Sequence, residues 1–210
     1  HRVESPYKVE ARYATRGGTS WVGYKVHLTE FDEGMTHLIT NVHTLCGHRH
    51  RRIKQLSAVQ ERLEASGILP TEQLADASYV RGNNPVCSHV RRIDLIGPAY
   101  KDNTWQAKAD EGFDVANFRI DWEKKAATCP EGRQSIRWSE TKTARGRQMI
   151  HIDFSPDDCA AYLSRQSCTQ AKELPHTLTL YAKDEHEAIQ FARKRQKTEE
   201  FSALYCQRQA

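Results

Sequence analysis

Residues 21–28 carry the feature that most limits the folds available to this chain. Apolar side chains occupy every second position of this segment: Val22, Tyr24, Val26 and Leu28. A period of two is typical of a β-strand with one apolar face. Turn residues flank the segment, and residues 37–42 show a second strand pattern shortly afterwards. The short connection predicts that the two strands pair as a hairpin within residues 20–43.

The segment after the hairpin alternates between helix and strand patterns. The predicted elements are a helix at 53–66, a strand at 72–77, a helix at 85–92 and a strand at 94–98. Gly67 ends the first helix and Pro85 lies in the first turn of the second. This order predicts an α/β fold in which one mixed sheet, flanked by helices, holds both the hairpin and the strand that ends at Asp76.

The composition changes near residue 100. Residues 101–176 are rich in Trp, Gly, Lys and Arg and contain three cysteines, with short strand patterns at 118–122, 135–138 and 149–154. We interpret them as a β-rich subdomain inserted between a core part at 1–100 and a C-terminal core part at 177–210. The latter begins with a strand at 177–181 and continues as one long polar helix from 185 to about 208.

Composition excludes several classes of protein. No stretch approaches the ~20 consecutive apolar residues of a membrane helix, and the polar N-terminus is not a signal peptide. Six cysteines among 210 residues are too few for a disulfide scaffold. The net charge of +4 weakly favours a polyanionic partner.

Two places carry candidate catalytic residues. Asp76 ends a predicted strand between two alanines, where catalytic groups of mixed α/β sheets concentrate and where a carboxylate can bind a divalent cation. The alternative is an aspartate that starts a turn. Tyr205 and Arg208 share a helix face, and the arginine could hold a phosphate. Their alternative is a core tyrosine beside a surface arginine.

Three cysteines form a candidate metal site. Cys129 begins a Cys-Pro-Glu-Gly turn like the knuckle of a zinc ribbon, and Cys159 and Cys168 follow it. A structural zinc ion takes four ligands; His151 or His176 could supply the fourth, but the sequence places neither one. The alternative is three buried free thiols.

Two basic runs are candidate phosphate contacts for DNA. The first comprises Arg49, Arg51, Arg52 and Lys54, and the second comprises Arg193, Lys194, Arg195 and Lys197. Clustered cations bind the DNA backbone. The alternative for each is a solvated charge run.

Several segments, in their order along the chain, resemble DDE-type transposases of bacterial insertion sequences. The resembling segments are 5–13, 19–30, 37–40, 67–80, 94–98, 105–107, 118–122, 129–132 and 158–159. The most specific are Gly-Tyr-Lys-Val-His-Leu at 23–28 and, after it, Asp-Ala-Ser-Tyr at 76–79. The resemblance implies an RNase H-like core interrupted by a β-rich insertion.

The resemblance also implies a chemistry. In this family three carboxylates hold two divalent metals, Mg²⁺ or Mn²⁺, that cut and join DNA. Asp76 matches the second carboxylate, and Tyr205 and Arg208 match the start of a Tyr-x-x-Arg-x-x-x-Glu signature. The first Asp and the final Glu would fall outside residues 1–210, so we expect a fragment that binds duplex DNA weakly and does not cleave it.

This chain departs from the family pattern at three places. Tyr162 stands where the family has a fourth cysteine, Ser78 stands where it prefers glycine, and residues 45–52 do not match. We therefore expect the cysteines to lie close together but to bind zinc weakly or not at all. The alternatives to a transposase are a non-catalytic DNA-binding or zinc-ribbon module and an RNase H-like nuclease.

The implied partner is double-stranded DNA at the ends of a mobile element. The resemblance is compatible with a homodimer in that DNA complex and with a cytoplasmic, nucleoid-associated protein. No membrane partner is expected.

Overall fold

The structure is a computed structural model that describes residues 5, 7–8, 10–33, 36–46, 52–108, 112–144, 146–172 and 174–209. The chain divides into two compact units. The first unit comprises His1–Gly97 together with Gln207–Ala210, and the second unit comprises Pro98–Cys206. Among the described residues, no helix is long and apolar enough to cross a membrane.

The first unit begins with a three-stranded antiparallel sheet. Its strands are β1 (Arg12–Arg16), β2 (Thr19–Glu33) and β3 (Thr36–Cys46). β2 lies in the middle, and its pairing with β3 confirms the predicted hairpin. Both hairpin strands are longer than their sequence patterns indicated, and the register shifts at Thr29/Glu30.

Helices and short strands then alternate as the sequence predicts. They are α1 (Arg52–Ala65), β4 (Glu72–Leu74), α2 (Asn84–Val90) and β5 (Asp94–Ile96). After α1 the chain turns at Gly67, whose φ of 70° favours glycine. Leu56, Val59 and Leu63 bury the inner face of α1, so the predicted amphipathic helix is confirmed.

The prediction of a single mixed sheet is wrong. β4 and β5 pair only with each other, in parallel, and form a two-stranded sheet separate from β1–β3. In the other sheet, β1 pairs with residues 19–23 of β2 and β3 pairs with residues 24–33. The short strands instead satisfy their backbone groups mutually, and the N–H of Ala75 extends that pairing to the carbonyl of Ile96 at 2.8 Å.

The second unit is built around a three-stranded antiparallel sheet with the order β8-β9-β10. Its strands are β6 (Arg119–Asp121), β7 (Ala126–Thr128), β8 (Arg137–Lys142), β9 (Gln148–Asp153) and β10 (Thr177–Tyr181). β6 and β7 form a separate hairpin. The strand patterns of residues 118–154 and 177–181 are therefore confirmed as strands.

Five helices complete the second unit. They are α3 (Trp105–Lys108), α4 (Pro156–Ala160), α5 (Arg165–Cys168), α6 (Lys183–Arg195) and α7 (Glu199–Cys206). Short 3₁₀ turns occupy Val115–Asn117 and, back in the first unit, Gln207–Gln209. The core of the second unit gathers residues from three strands and two flanking phenylalanines: Ala127, Ile150, Ile152, Leu178, Leu180, Phe118 and Phe154.

The prediction of one long C-terminal helix is wrong. The chain leaves helical geometry after α6, and Thr198 begins a new helix because its Oγ1 accepts a hydrogen bond from the N–H of Phe201 at 3.2 Å. Glu199 and Glu200 then place negative charge in the first turn of α7. Both features stabilise a helix N-terminus, and they separate the basic run of α6 from the Tyr205 region.

Candidate active site

The turn that follows β4 presents Asp76. Its Oδ1 accepts a hydrogen bond from the N–H of Ser78 at 2.7 Å, and its carbonyl accepts one from the N–H of Tyr79 at 2.9 Å. An aspartate side chain that bonds the backbone two residues ahead closes a tight turn. Ala75 is buried before the turn, whereas 48 % of the Asp76 side chain is exposed. Asp76 therefore starts a turn, as the alternative interpretation held, and it also presents its carboxylate to solvent.

The structure brings Arg208 to this carboxylate. Nη2 of Arg208 lies 4.0 Å from Oδ2 of Asp76, and 41 % of the arginine side chain is exposed. An exposed ion pair of this length contributes at most about 1 kcal/mol to stability. Two of the residues selected from the sequence therefore lie together at the surface of the first unit, where solvent-borne ligands can reach them.

Tyr205, the third residue of the predicted set, belongs to the second unit. It lies on α7 with its ring stacked on Phe201 at a centroid distance of 5.4 Å and an interplanar angle of 11°. Phe201 is buried. The contact is that of a tyrosine packed against a core side chain.

Asp76 is the carboxylate that the sequence predicted as a metal ligand. Among the described residues, no group of three or more His, Cys, Asp or Glu side chains is arranged to hold a metal ion. Divalent cations of this kind take several oxygen ligands, and a two-metal site needs carboxylates that bridge both ions. The residues described here do not by themselves fit a two-metal centre.

The three cysteines of the second unit line one cavity. Cys129, Cys159 and Cys168 are free, half-buried and packed against the apolar core. The Cys129 turn has the predicted knuckle form, since the N–H of Arg133 donates to its Sγ at 3.3 Å. Burial, together with the neighbouring Cys159 and Cys129, raises the pKa of Cys168 to about 11. This thiol is therefore neutral at pH 7.

Other polar groups occupy the mouth of that cavity. The hydroxyl of Tyr162, which replaces the family's cysteine, accepts a hydrogen bond from Nε of Arg133 at 2.8 Å. Nδ1 of His176 donates to the carbonyl of Cys168 at 2.7 Å, and its ring stacks on Phe118. His151 instead bonds Thr179 across the sheet at 3.2 Å. The zinc site stays a prediction.

The two basic runs differ in how far the structure describes them. Arg49 and Arg51 lie outside the described residues, and Arg52 and Lys54 begin α1 without described side chains. In the second run Lys194 and Lys197 are exposed and Arg195 is half-buried.

Arg193 has a structural contact within the second unit. Its Nη1 lies 3.1 Å from Oδ2 of Asp102, and both side chains are largely buried. Burial by itself raises the pKa of Asp102, but the N–H of Thr104 and the Arg193 guanidinium outweigh it and hold that pKa below its usual value. Arg193 therefore neutralises an internal carboxylate, and the exposed lysines are the better candidates for phosphate contacts.

Two residues beside the candidate site had no role assigned from the sequence. The hydroxyl of Tyr79 forms a hydrogen bond with Nδ1 of His27, and the two rings meet edge to face. His27 comes from β2 and Tyr79 from the Asp76 turn. Both residues belong to the segments at 23–28 and 76–79 that carried the resemblance, and that shared membership was the available signal.

Comparison with known proteins gives a match for the C-terminal part of the chain. Residues 128–210 match the family model of the transposase DDE domain. This part of the chain is therefore similar to that family. The match confirms the resemblance to DDE-type transposases, and it includes Arg208 but not Asp76.

The match supports a transposase-related catalytic domain. The transposase DDE domain is a catalytic domain that acts on DNA in transposition, and its family uses divalent metals. Searches of curated proteins and of solved structures gave no significant match.

Proposed function

We propose that this chain is part of the catalytic domain of an insertion-sequence transposase that cuts and joins DNA by two-metal phosphodiester chemistry on an RNase H-like core. The approach of Arg208 to Asp76 carries this proposal. Arg208 comes from the segment that matches the transposase DDE domain, and Asp76 comes from outside it. The fold thus brings a residue of the matched segment close to a carboxylate, distant in sequence, that the resemblance had also selected.

Each residue has a distinct role in this proposal. The guanidinium of Arg208 binds a DNA phosphate through charge-assisted hydrogen bonds. Asp76 would supply one carboxylate ligand for a divalent cation, whose charge would stabilise oxygens at the reacting phosphate. The Asx turn orients that carboxylate, because Oδ1 is already fixed by the N–H of Ser78 and Oδ2 points to Arg208.

The exposed cations of the second unit are separate candidates for DNA contacts. Lys194 and Lys197 are exposed near the end of α6, and each phosphate that a lysine neutralises releases counterions. The proposed interaction with duplex DNA is therefore weak and strongly dependent on salt. Arg193, held by Asp102, contributes to the helix rather than to the DNA contact.

One observation favours the non-catalytic DNA-binding module as a second candidate. Arg208 lies beside the carboxylate of Asp76, and among the described residues no group of three or more His, Cys, Asp or Glu side chains is arranged to hold a metal. A chain of that kind binds DNA without breaking it. The experiment below therefore measures binding and cleavage separately.

The binding arm uses fluorescence anisotropy with duplex DNA over a salt series. We expect Arg208→Gln and Lys197→Gln each to weaken binding several-fold and to lower the salt slope by about 1. The matched controls are Arg137→Gln and Lys124→Gln, exposed cations that pair with Asp153 and Asp121 elsewhere in the second unit. Equal losses in the controls, or binding that ignores salt, would refute the proposed contact.

The cleavage arm incubates the chain with Mn²⁺ and supercoiled plasmid beside an Asp76→Ala variant. We expect the 210-residue chain to leave the plasmid intact, because one carboxylate cannot clamp two cations. Nicking that Asp76→Ala abolishes would instead establish a nuclease activity of this chain by itself. Nicking that persists in the variant would remove Asp76 from the chemistry.

A further inference from the structure

A row of polar side chains crosses the inner face of the hairpin and ends at the Asp76 turn. His27 on β2 and His43 on β3 are direct cross-strand partners, with ring centroids 6.5 Å apart. Nε2 of His43 bonds Oε1 of Gln55, a buried residue of α1. At the other end, His27 bonds the hydroxyl of Tyr79. The row therefore joins a helix, two strands and the turn.

The turn transmits the position of Tyr79 to Asp76. Two hydrogen bonds close it, from the N–H groups of Ser78 and Tyr79 to the side chain and the carbonyl of Asp76. The carbonyl of Tyr79 also accepts a hydrogen bond at 2.9 Å from Nδ2 of Asn84, which is buried in α2. With its backbone held by Asn84, the remaining freedom of Tyr79 is in its ring, and the ring is held by His27.

Because β4 and the hairpin belong to different sheets, no backbone ladder fixes the Asp76 turn relative to β2. The hydrogen bond between His27 and Tyr79 links the two directly. The edge-to-face contact of the two rings, at a centroid distance of 5.7 Å and 80°, holds the hydroxyl and the imidazole nitrogen in register. The bond is half-buried, which strengthens it relative to the same bond in water.

We propose that His27 and Tyr79 are positioning residues for Asp76: their hydrogen bond fixes the turn that orients its carboxylate toward Arg208. The inference rests on the proposed function for the use of that carboxylate, but the positioning itself is a property of the turn. Neither residue touches the reacting DNA in this proposal. His43 and Gln55 hold the imidazole of His27 in place from the opposite side.

The test measures amide hydrogen exchange by NMR on the 210-residue chain, so it does not depend on DNA chemistry. In Tyr79→Phe the ring remains and the hydroxyl is lost. We expect the amides of Ser78 and Tyr79 to exchange about tenfold faster, which is the effect of one lost hydrogen bond on a local opening. The amides of Val59 and Leu63 in α1 should keep their exchange rates. If the hydroxyl only stabilised the first unit as a whole, those amides would exchange faster as well.

The histidine is tested by a pair of variants. His27→Gln keeps a polar group that can reach the hydroxyl and should retain slow exchange at Ser78, whereas His27→Leu should match Tyr79→Phe. Tyr13→Phe is the control, since it removes a tyrosine hydroxyl bond, to Ser20 at 2.8 Å, elsewhere in the same sheet. The proposal is overturned if Tyr79→Phe changes the exchange rate of the Ser78 amide no more than Tyr13→Phe does. It is also overturned if exchange becomes faster at all amides of the first unit together.

The DNA experiment separates this proposal from the proposed function. If Tyr79→Phe does not accelerate exchange of the Ser78 amide while DNA binding still depends on Arg208, the positioning role is wrong and the proposed function stands. If exchange of the Ser78 amide becomes about tenfold faster in Tyr79→Phe but Arg208→Gln does not weaken DNA binding, the positioning role stands and the proposed function is wrong.

Discussion

The central sheets of the two units share an alternating sequence pattern, but the apolar face is buried in one sheet and exposed in the other. β2 alternates apolar and polar residues, and so do β9 and β10. In the second unit the apolar set is enclosed, with Ile152 0 % and Leu180 3 % exposed. In the first unit the apolar set faces outward, and Val26 and Leu28 are each 55 % exposed.

What packs on each sheet explains the difference. The apolar face of β9 and β10 meets Phe118 and Phe154, and two half-buried tryptophans close the rim of that core. On β2 the half-buried side chains are the polar ones of the other face, where His27 reaches the Asp76 turn and His43 reaches α1. Alternation thus determines which side chains share a face, but the neighbouring elements determine which face is covered.

The largest expected effect contrasts equivalent truncations in the two sheets. Ile152→Ala should lower the free energy of unfolding by about 2–4 kcal/mol because it leaves a cavity in a closed core. Val26→Ala should cost less than about 1 kcal/mol, since its side chain is half in water already. Urea unfolding in a Trp21→Phe background measures the first change, because the remaining tryptophans all lie in the second unit. Equal losses would show that the β2 face is covered in solution.

The next prediction tests which part of the first unit contributes most to its stability. A Cβ on Gly97 would lie 2.2 Å from the carbonyl oxygen of Ala75 and 2.9 Å from Val80, so Gly97→Ala should destabilise this unit by about 1–3 kcal/mol. Hydrogen exchange of the α1 amides reports the loss. Gly23→Ala is the control in β2, where the nearest atom is a Trp21 side-chain carbon at 3.4 Å. A larger effect at Gly23 would move the stabilising core to the hairpin.

Acidification should weaken the second unit through a buried histidine. Burial lowers the pKa of His176 despite its hydrogen bond to the carbonyl of Cys168. The unfolded chain therefore takes up a proton near pH 6.5 while the folded unit does not, so stability is full above that pH and falls as the pH drops below it. We expect a loss of at most about 1 kcal/mol per pH unit. Unfolding midpoints measured between pH 7 and 5 should show a shallower decline in His176→Gln, and an unchanged decline would exclude this residue as the cause.

The smallest expected effect on stability belongs to the exposed face itself. Val26→Thr and Leu28→Thr should leave the unfolding free energy within about 0.5 kcal/mol, yet lower the fluorescence of a bound hydrophobic dye. The matched change Leu180→Thr in β10 should instead destabilise strongly. Dye fluorescence that stays constant in the β2 variants would show that this face does not contact solvent.

Much of the candidate site could be found from the sequence. Asp76, Arg208 and the cysteine knuckle were selected from their patterns and the resemblance, and the hairpin, α1 and β9 lie where periodicity placed them. Local interactions suffice for these features: alternation selects a strand, Gly67 ends a helix, and the Cys129 turn needs only its own glycine and backbone.

Two features differ from the sequence prediction. Thr198 starts a second helix within a continuous polar pattern, and its capping bond, although local, competes with continued helix only at the level of about 1 kcal/mol. The separation of β4 and β5 from the hairpin is a choice between strand pairings of distant segments. That second choice is not visible in a short window of residues.

The sequence by itself thus determined the elements, their order and the family-specific residues, because each follows from a few neighbouring side chains. The tertiary structure alone decided that the polar face of β2 is the one partly covered, that His27 meets Tyr79, and that Arg208 meets Asp76. These contacts join residues far apart in the chain. The free energy of each contact depends on how all the other elements pack, and a local sequence pattern does not contain that information.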